Sequence, residues 1–241
     1  MVQIAHIETP FREKFGVPRQ AGLVDYEARV VFEPDYRVAE AVRGLEEFDY
    51  VWLLWRFHLN KQQGVGTLRQ QDVEAQNPEA PKAIGWSPTV RPPRLGGNKR
   101  VGVFATRSPF RPNAIGLSCV RLVRIEAGPV LVVAGADLVY GTPILDIKPY
   151  LAYADAHPEA RSGFAQIPPQ PELKVVDDHG WLLLLPDDKR QVLSEALAHD
   201  PRPHYQHEAS RVYVFPFDNW EVRFRVGGMA VEIVSVERSV K

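Results

Sequence analysis

The sequence predicts a mainly β protein, built around an antiparallel sheet or barrel and followed by a small α+β unit. Three observations carry this. Short segments rich in β-branched and aromatic residues recur with partial period-two alternation, which is how a half-buried strand reads. Proline (21) and glycine (17) are spread through the chain and cut it into pieces too short for a helical protein. Strands do not alternate with helices in the way that builds a parallel doubly wound sheet.

Taken in order, residues 2–7, 28–32, 50–58, 101–106, 116–125 and 130–138 read as strands. Segment 50–58, YVWLLWRFH, is apolar on both faces and belongs in the middle of the sheet. A short helix is expected over 37–48, weakened near its end by Gly44. Segment 61–85 is Gln-rich with almost no aromatic residue, and reads as a long inserted loop with a helical turn over 68–75. Pro168, Pro169 and Pro171 mark a boundary. After it come an amphipathic helix over 187–198 and strands around Val212, Val222 and Val231, with a hairpin turn at Gly227-Gly228. The expected division is a unit over 1–160 and a smaller one over 168–241.

A chain of 241 residues, 45% hydrophobic and 24% charged, is long enough for a sizeable core. The single Cys119 cannot form an internal disulfide and suits a reducing compartment. The N-terminus lacks the pattern of a secretory signal, and the apolar runs fall well short of a bilayer span of roughly 20 residues. A cytoplasmic protein with no membrane association is expected.

The net charge of −1 hides an asymmetry. Between Ala80 and Ile125 there is no Asp or Glu, whereas Lys82, Arg91, Arg94, Lys99, Arg100, Arg107, Arg111, Arg121 and Arg124 give +9. Such a segment on a near-neutral protein is the footprint of a face that meets phosphate. The alternative is a solvated face paired with acids from elsewhere in the fold.

Common enzyme signatures are missing. There is no G-x-G-x-x-G after a strand, no Walker A loop, no H-E-x-x-H and no paired C-x-x-C. His199, His204 and His207 lie close together but without cysteine or clustered carboxylates, so no metal site is expected. Cys119, inside a strand, reads as a core residue. Four segments remain. FGVPRQ turns to present Arg19 and Gln20. WSPTVRPPRLGGN is a stiff basic arm over 86–98. VGVFATRSPFRPNAIGLS carries Arg107, Arg111 and Asn113 in a proline-fixed loop between strands, as binding loops on a rigid scaffold do. In DLVYGTPILDIKPY, Asp137, Asp146 and Lys148 are set among apolar residues, and such charges must be either paired or functional.

These same segments carry a family resemblance. PRQ at 18–20, RPPRLGGN at 91–98, GVFATRSPFRPNAIGLS at 102–118, GTPILDIKPY at 141–150, AVRGLEEFDYVW at 41–52 and AHDPRPHY at 198–205 resemble, in the same order, the signatures of the TrmO (YaeB-like) family. The resemblance implies a single-sheet antiparallel β-barrel methyltransferase acting as a homodimer. It would transfer a methyl group from S-adenosylmethionine to N6 of threonylcarbamoyladenosine beside the tRNA anticodon, with the C-terminal unit aiding tRNA binding. It places Pro18, Arg19, Gln20, His58, Leu59, Arg107, Leu117, Tyr140, Gly141, Thr142 and Pro143 at the cofactor. Arg91, Arg94, Lys99, Arg111 and Tyr50 would meet tRNA. Asn113 would orient the modified base, with Asp146 or His58 as base. Three departures stand out: the length of 61–85, Leu59 where a polar residue is common, and Tyr140 where an acid usually precedes Gly-Thr-Pro. A non-catalytic RNA-binding protein using the same basic surface is the alternative from a different class. A hydrolase of small phosphorylated metabolites lacks any visible nucleophile or phosphate loop.

Overall fold

The computed structural model describes residues 1–60, 87–96, 99–202, 206 and 208–239. The expected loop over 61–85, Lys82, His204 and His207 lie outside the described residues.

Six strands close into an antiparallel barrel in the order β1 (Ala5–Glu8), β2 (Glu27–Phe32), β7 (Val130–Ala134), β6 (Ile115–Glu126), β3 (Tyr50–Arg56) and β8 (Thr142–Pro149). Alternation explains β3: Val51, Leu53 and Trp55 are buried inside the barrel, while Tyr50, Trp52, Leu54 and Arg56 face outward. The strand sits between β6 and β8, as its two apolar faces predict. Gly116 on β6 faces Trp55 so closely that a Cβ there would lie 2.2 Å from the indole ring, so only glycine fits. A two-stranded hairpin, β4 (Thr89–Val90) with β5 (Val101–Gly102), stands apart from the barrel.

A second, four-stranded sheet has the order β10 (Tyr213–Phe217), β11 (Trp220–Gly227), β12 (Ala230–Arg238), β9 (Lys174–Val176), the last pair parallel. Two α-helices are described: the single turn α1 (Ala152–Asp155) and α2 (Asp187–Ala198), which buries Val192, Leu193, Ala196 and Leu197. The loop between β1 and β2 joins the two sheets. Phe11 stacks on Phe215 and meets Phe217 edge-on, and Phe15 packs against Tyr213, Phe215 and Phe224. Gly16 adopts φ +84 beneath the Phe215 ring, where a Cβ would lie 2.3 Å from ring carbons.

Several local expectations are corrected. No α-helix spans 37–48; the chain makes 3₁₀ turns at Ala39–Val42 and Leu45–Glu47, separated by Gly44 at φ +84. A left-handed residue there ends any i→i−4 ladder. The expected strand over 101–106 stops at Gly102 and becomes a 3₁₀ turn at Val103–Ala105. The strand from Val130 stops at Ala134, where Gly135 turns at φ +75 and its N–H bonds Tyr26 O at 3.1 Å. Strand β8 was not foreseen, because Pro143, Pro149 and the Asp146–Lys148 pair disguise it. The prolines fall near its ends and the charges on its outer face.

Candidate active site

Register decides which end of the barrel each loop occupies. Glu8, Arg56 and Ala134 end their strands, and Glu27, Ile115 and Thr142 begin theirs, at one and the same end. The connections over 9–26, from 57 to 114 and over 135–141 therefore all converge there.

The sharpest polar cluster at this end joins three of them. Arg107 Nη1 donates to Gln20 Oε1 at 2.6 Å, and Gln20 Nε2 donates to the Arg19 carbonyl at 2.5 Å. Beneath them, Trp55 Nε1 donates to Ser118 Oγ at 2.9 Å, and Ser118 Oγ donates to Asp137 Oδ1 at 2.5 Å. Burial pushes the Asp137 carboxyl above the usual carboxylate range; the Ser118 hydroxyl, its own N–H, the Arg107 charge and the Ala21 N–H pull the other way.

The loop after β5 is built by its own polar groups. Arg111 Nη1 donates to the carbonyls of Thr106 (2.7 Å) and Val103 (3.3 Å), and its guanidinium lies 5.7 Å from the Phe104 ring centroid. Arg111 thus shapes the loop as well as adding charge. Asn113 is exposed beside it, its carbonyl taking the Ile115 N–H at 2.7 Å. His58 follows β3 and is half-buried. Burial holds its pKa below the ordinary imidazole value, and the Arg56 and Lys14 charges act in the same direction. Asn60 ties this segment to its neighbours, donating to Pro109 O at 2.9 Å and accepting from Lys14 Nζ at 2.7 Å.

Gly141 N–H bonds Ile7 O and Tyr140 N–H bonds Phe11 O, both at 2.8 Å, so the 140–143 turn is stitched to β1 and to the loop that follows it. Where an acid would pair with Arg12 by charge, the Tyr140 ring lies beneath its guanidinium at 4.1 Å.

The structure thus brings together Gln20, His58, Arg107, Arg111, Asn113 and the turn from Tyr140 through Gly141 and Thr142 to Pro143. Pro18 is buried in the same loop, and Leu59 is exposed next to His58. Arg19 points elsewhere: its Nη2 donates to the carbonyls of Asp200 (3.0 Å) and Arg202 (3.1 Å) in the C-terminal unit. Arg91 and Lys99 are exposed on or beside the β4–β5 hairpin, and Arg94 donates from it to Ile167 O at 2.8 Å. Three expected residues, Tyr50, Leu117 and Asp146, are not at this end. Tyr50 begins β3 at the opposite end, against Arg121. Asp146 lies on the outer wall in the row of Leu54 and Leu117, its carboxylate 2.9 Å from Lys148 Nζ.

The basic segment also divides. Arg121 lies 3.6 Å from Asp25, and Arg124 is bonded to Glu27 and Glu126, so these two belong to a paired surface. No cluster of three potential metal ligands occurs among the described residues. Ser118 and Trp55 were not foreseen at the site. Asp137 was noticed as an embedded charge, and the signal for placing it was there: a lone acid inside the buried apolar run over 130–138.

The family model of the tRNA-methyltransferase O N-terminal domain matches residues 6–156, and that of the TrmO C-terminal domain matches 184–239. The chain belongs to the TrmO family. It is 40% identical over 247 residues to the tRNA (adenine(37)-N6)-methyltransferase of Escherichia coli K12, covering 98% of this chain and 96% of that protein. A putative S-adenosylmethionine-dependent methyltransferase of Pseudomonas aeruginosa is 42% identical over 213 residues, covering 84% and 81%. The crystal structure of TrmO from Pseudomonas aeruginosa superposes with a TM-score of 0.70 at 31% identity, over 98% of this chain and 96% of that one.

Proposed function

We propose that the protein transfers a methyl group from S-adenosylmethionine to N6 of threonylcarbamoyladenosine at position 37 of tRNA, acting as a homodimer in the cytoplasm. The observation that carries this reading is the convergence of the Gln20–Arg107 pair, His58, Asn113 and the 140–143 turn at one barrel end, on loops one of which follows the basic β4–β5 hairpin, in a chain of this family.

The residues suit such a cofactor. Arg107 offers a planar guanidinium for a carboxylate, and the carbonyl-rich turns around Arg19 and Tyr140 suit an ammonium. When bound, S-adenosylmethionine supplies an electrophilic methyl carbon on a sulfonium. Alignment of the nucleophile with that carbon is worth up to about 7–11 kcal/mol, so positioning is the protein's main task. The N6 nitrogen is a weak nucleophile, with its lone pair delocalised into the purine and the adjoining carbonyl, and its proton must leave. Asn113 orients the base by hydrogen bonding. His58, kept neutral by burial, accepts the proton; Asp146, paired with Lys148 on the outer wall, is the less well placed of the two bases.

Arg91, Arg94, Lys99 and Arg111 meet tRNA phosphates, and the C-terminal unit extends that surface. The outer wall of β6-β3-β8 supports a dimer. Leu117 is 52% exposed there, Tyr50 43% and nearby Tyr153 87%, apolar side chains that a second copy would cover. A dimer through this wall accounts for Tyr50, Leu117 and Asp146 lying off the loop end.

Purified protein is titrated with S-adenosylmethionine and then incubated with it and tRNA bearing threonylcarbamoyladenosine. The expected result is one site per chain and a gain of one methyl group on that nucleoside. Folded protein that binds tRNA but neither binds the cofactor nor transfers methyl would instead establish an RNA-binding protein.

A further inference from the structure

We infer that Asp137 is a positioning residue: its carboxylate, anchored by Ser118 and through it by Trp55, holds the Gln20–Arg107 pair in the geometry that receives the cofactor. The inference rests on the reading of this barrel end as the cofactor site.

Asp137 and the groups around it come from five separate segments. Asp137 comes from the β7–β8 connection, Ser118 from β6 and Trp55 from β3. The β1–β2 loop is bonded to the same connection, Gly22 N–H to Gly135 O and the Tyr26 hydroxyl to Ala136 O, both at 2.8 Å, and the Arg107 charge, from the loop after β5, favours the ionised carboxylate. The residues before and after it, Ala136 and Leu138, are buried apolar groups, at 0% and 1% exposure. An acid at such a place opposes folding unless it is fully partnered. Every partner found here is a donor or a cation, which only a carboxylate can accept on both oxygens; an amide would turn its NH₂ group toward donors. The hydroxyl of Ser118 is itself fixed, because it takes the Trp55 N–H while giving its own proton to Asp137.

The consequence falls on Arg107. This side chain is exposed, and a free arginine loses considerable rotamer entropy when it binds. The 2.6 Å bond to Gln20 Oε1 restricts it beforehand, with the Asp137 charge attracting it from beyond contact distance, so that less is lost when ligand arrives. Asp137 does not touch the ligand; it acts through Arg107 and through the β1–β2 loop that carries Gln20.

The test uses the full chain with Asp137→Asn, Asp137→Glu and Ser118→Ala, folding being checked by circular dichroism. Steady-state kinetics with modified tRNA separates the KM for S-adenosylmethionine from the KM for tRNA and from kcat, and calorimetry gives cofactor affinity directly. Asp137→Asn is expected to raise the KM and Kd for S-adenosylmethionine roughly tenfold, the size of one lost charge-assisted contact. The KM for tRNA should stay within about twofold, Asp137→Glu should recover part of the loss, and Ser118→Ala should shift the same constants by a smaller factor. Should Asp137→Asn fail to fold, Ser118→Ala decides by the same split. Unchanged cofactor constants, or both KM values rising together, would overturn the inference. Wild-type protein that binds no S-adenosylmethionine would overturn the functional reading along with it, whereas wild-type binding with undisturbed variants overturns this inference alone.

Discussion

Gly116→Ala tests how tightly the barrel wall is built beneath the candidate site. The added Cβ would fall 2.2, 2.4 and 2.6 Å from Cε2, Cζ2 and Cδ2 of Trp55, the two ring-fusion carbons and their neighbour in the six-membered ring. Ordinary carbon contacts need about 3.5–4.0 Å, so the indole or β6 must move by more than an ångström. Trp55 cannot swing freely, because it is buried, donates to Ser118 Oγ at 2.9 Å and meets Phe57 edge-on at 4.3 Å. Overpacking of this kind costs about 1–3 kcal/mol. For a chain of this size, that lowers the melting temperature by roughly 2–12 °C. Urea unfolding of the single variants and of Gly116→Ala/Trp55→Phe gives a double-mutant cycle. Phenylalanine lacks the fused ring that the new methyl strikes, so the double variant should be more stable than the sum of the singles requires, by at least about 0.5 kcal/mol. A Gly116→Ala protein within about 0.5 kcal/mol of wild type, or an additive cycle, would refute the steric account. It would also remove the reason for treating Trp55 as a fixed anchor of Ser118.

Three further outcomes follow from the site. Arg107→Ala should lower S-adenosylmethionine affinity by at least about tenfold by calorimetry, because it removes the cation that Gln20 holds. Arg91→Ala should leave cofactor affinity alone, weaken tRNA binding and reduce the salt slope of that binding by about 1, as measured across a salt series. Asp137 has a raised pKa because it is buried, so its contribution to stability is complete below the ordinary carboxylate range and is lost as pH rises through the raised value. The stability of wild type minus that of Asp137→Asn, from urea unfolding at stepped pH, should therefore fall as pH rises; a difference that grows with pH would contradict the burial argument.

The barrel was legible where strands alternate in the ordinary way. β2, β3 and β6 lie within a residue or two of their expected bounds, and α2 matches 187–198. What failed to show was tertiary. The spacing of Val38, Val42 and Leu45 imitates a helix face, yet the turns it marks bridge β2 to β3 around the positive φ of Gly44. β9 has three residues and exists only because β12 lies beside it. The loop residues Gln20, Arg107 and Asn113 could be picked out because prolines and cations cluster around them. The carboxylate behind them showed as an embedded charge but its partners did not, since they come from β6 and, through Ser118, from β3. Arg19 shows the same limit: it bonds carbonyls 181 and 183 residues away, which no local pattern encodes.

The ring contacts around Phe11 and Phe15 bear on how the chain comes apart. Both phenylalanines sit in the loop that also carries Gln20, and they are gripped by Tyr213, Phe215, Phe217 and Phe224 of the second sheet. Melting that sheet would therefore strip the cofactor loop of its footing, while the barrel alone would be left with an oily scar. Calorimetry on the intact chain should accordingly trace one endotherm, with catalytic competence vanishing along it and not before.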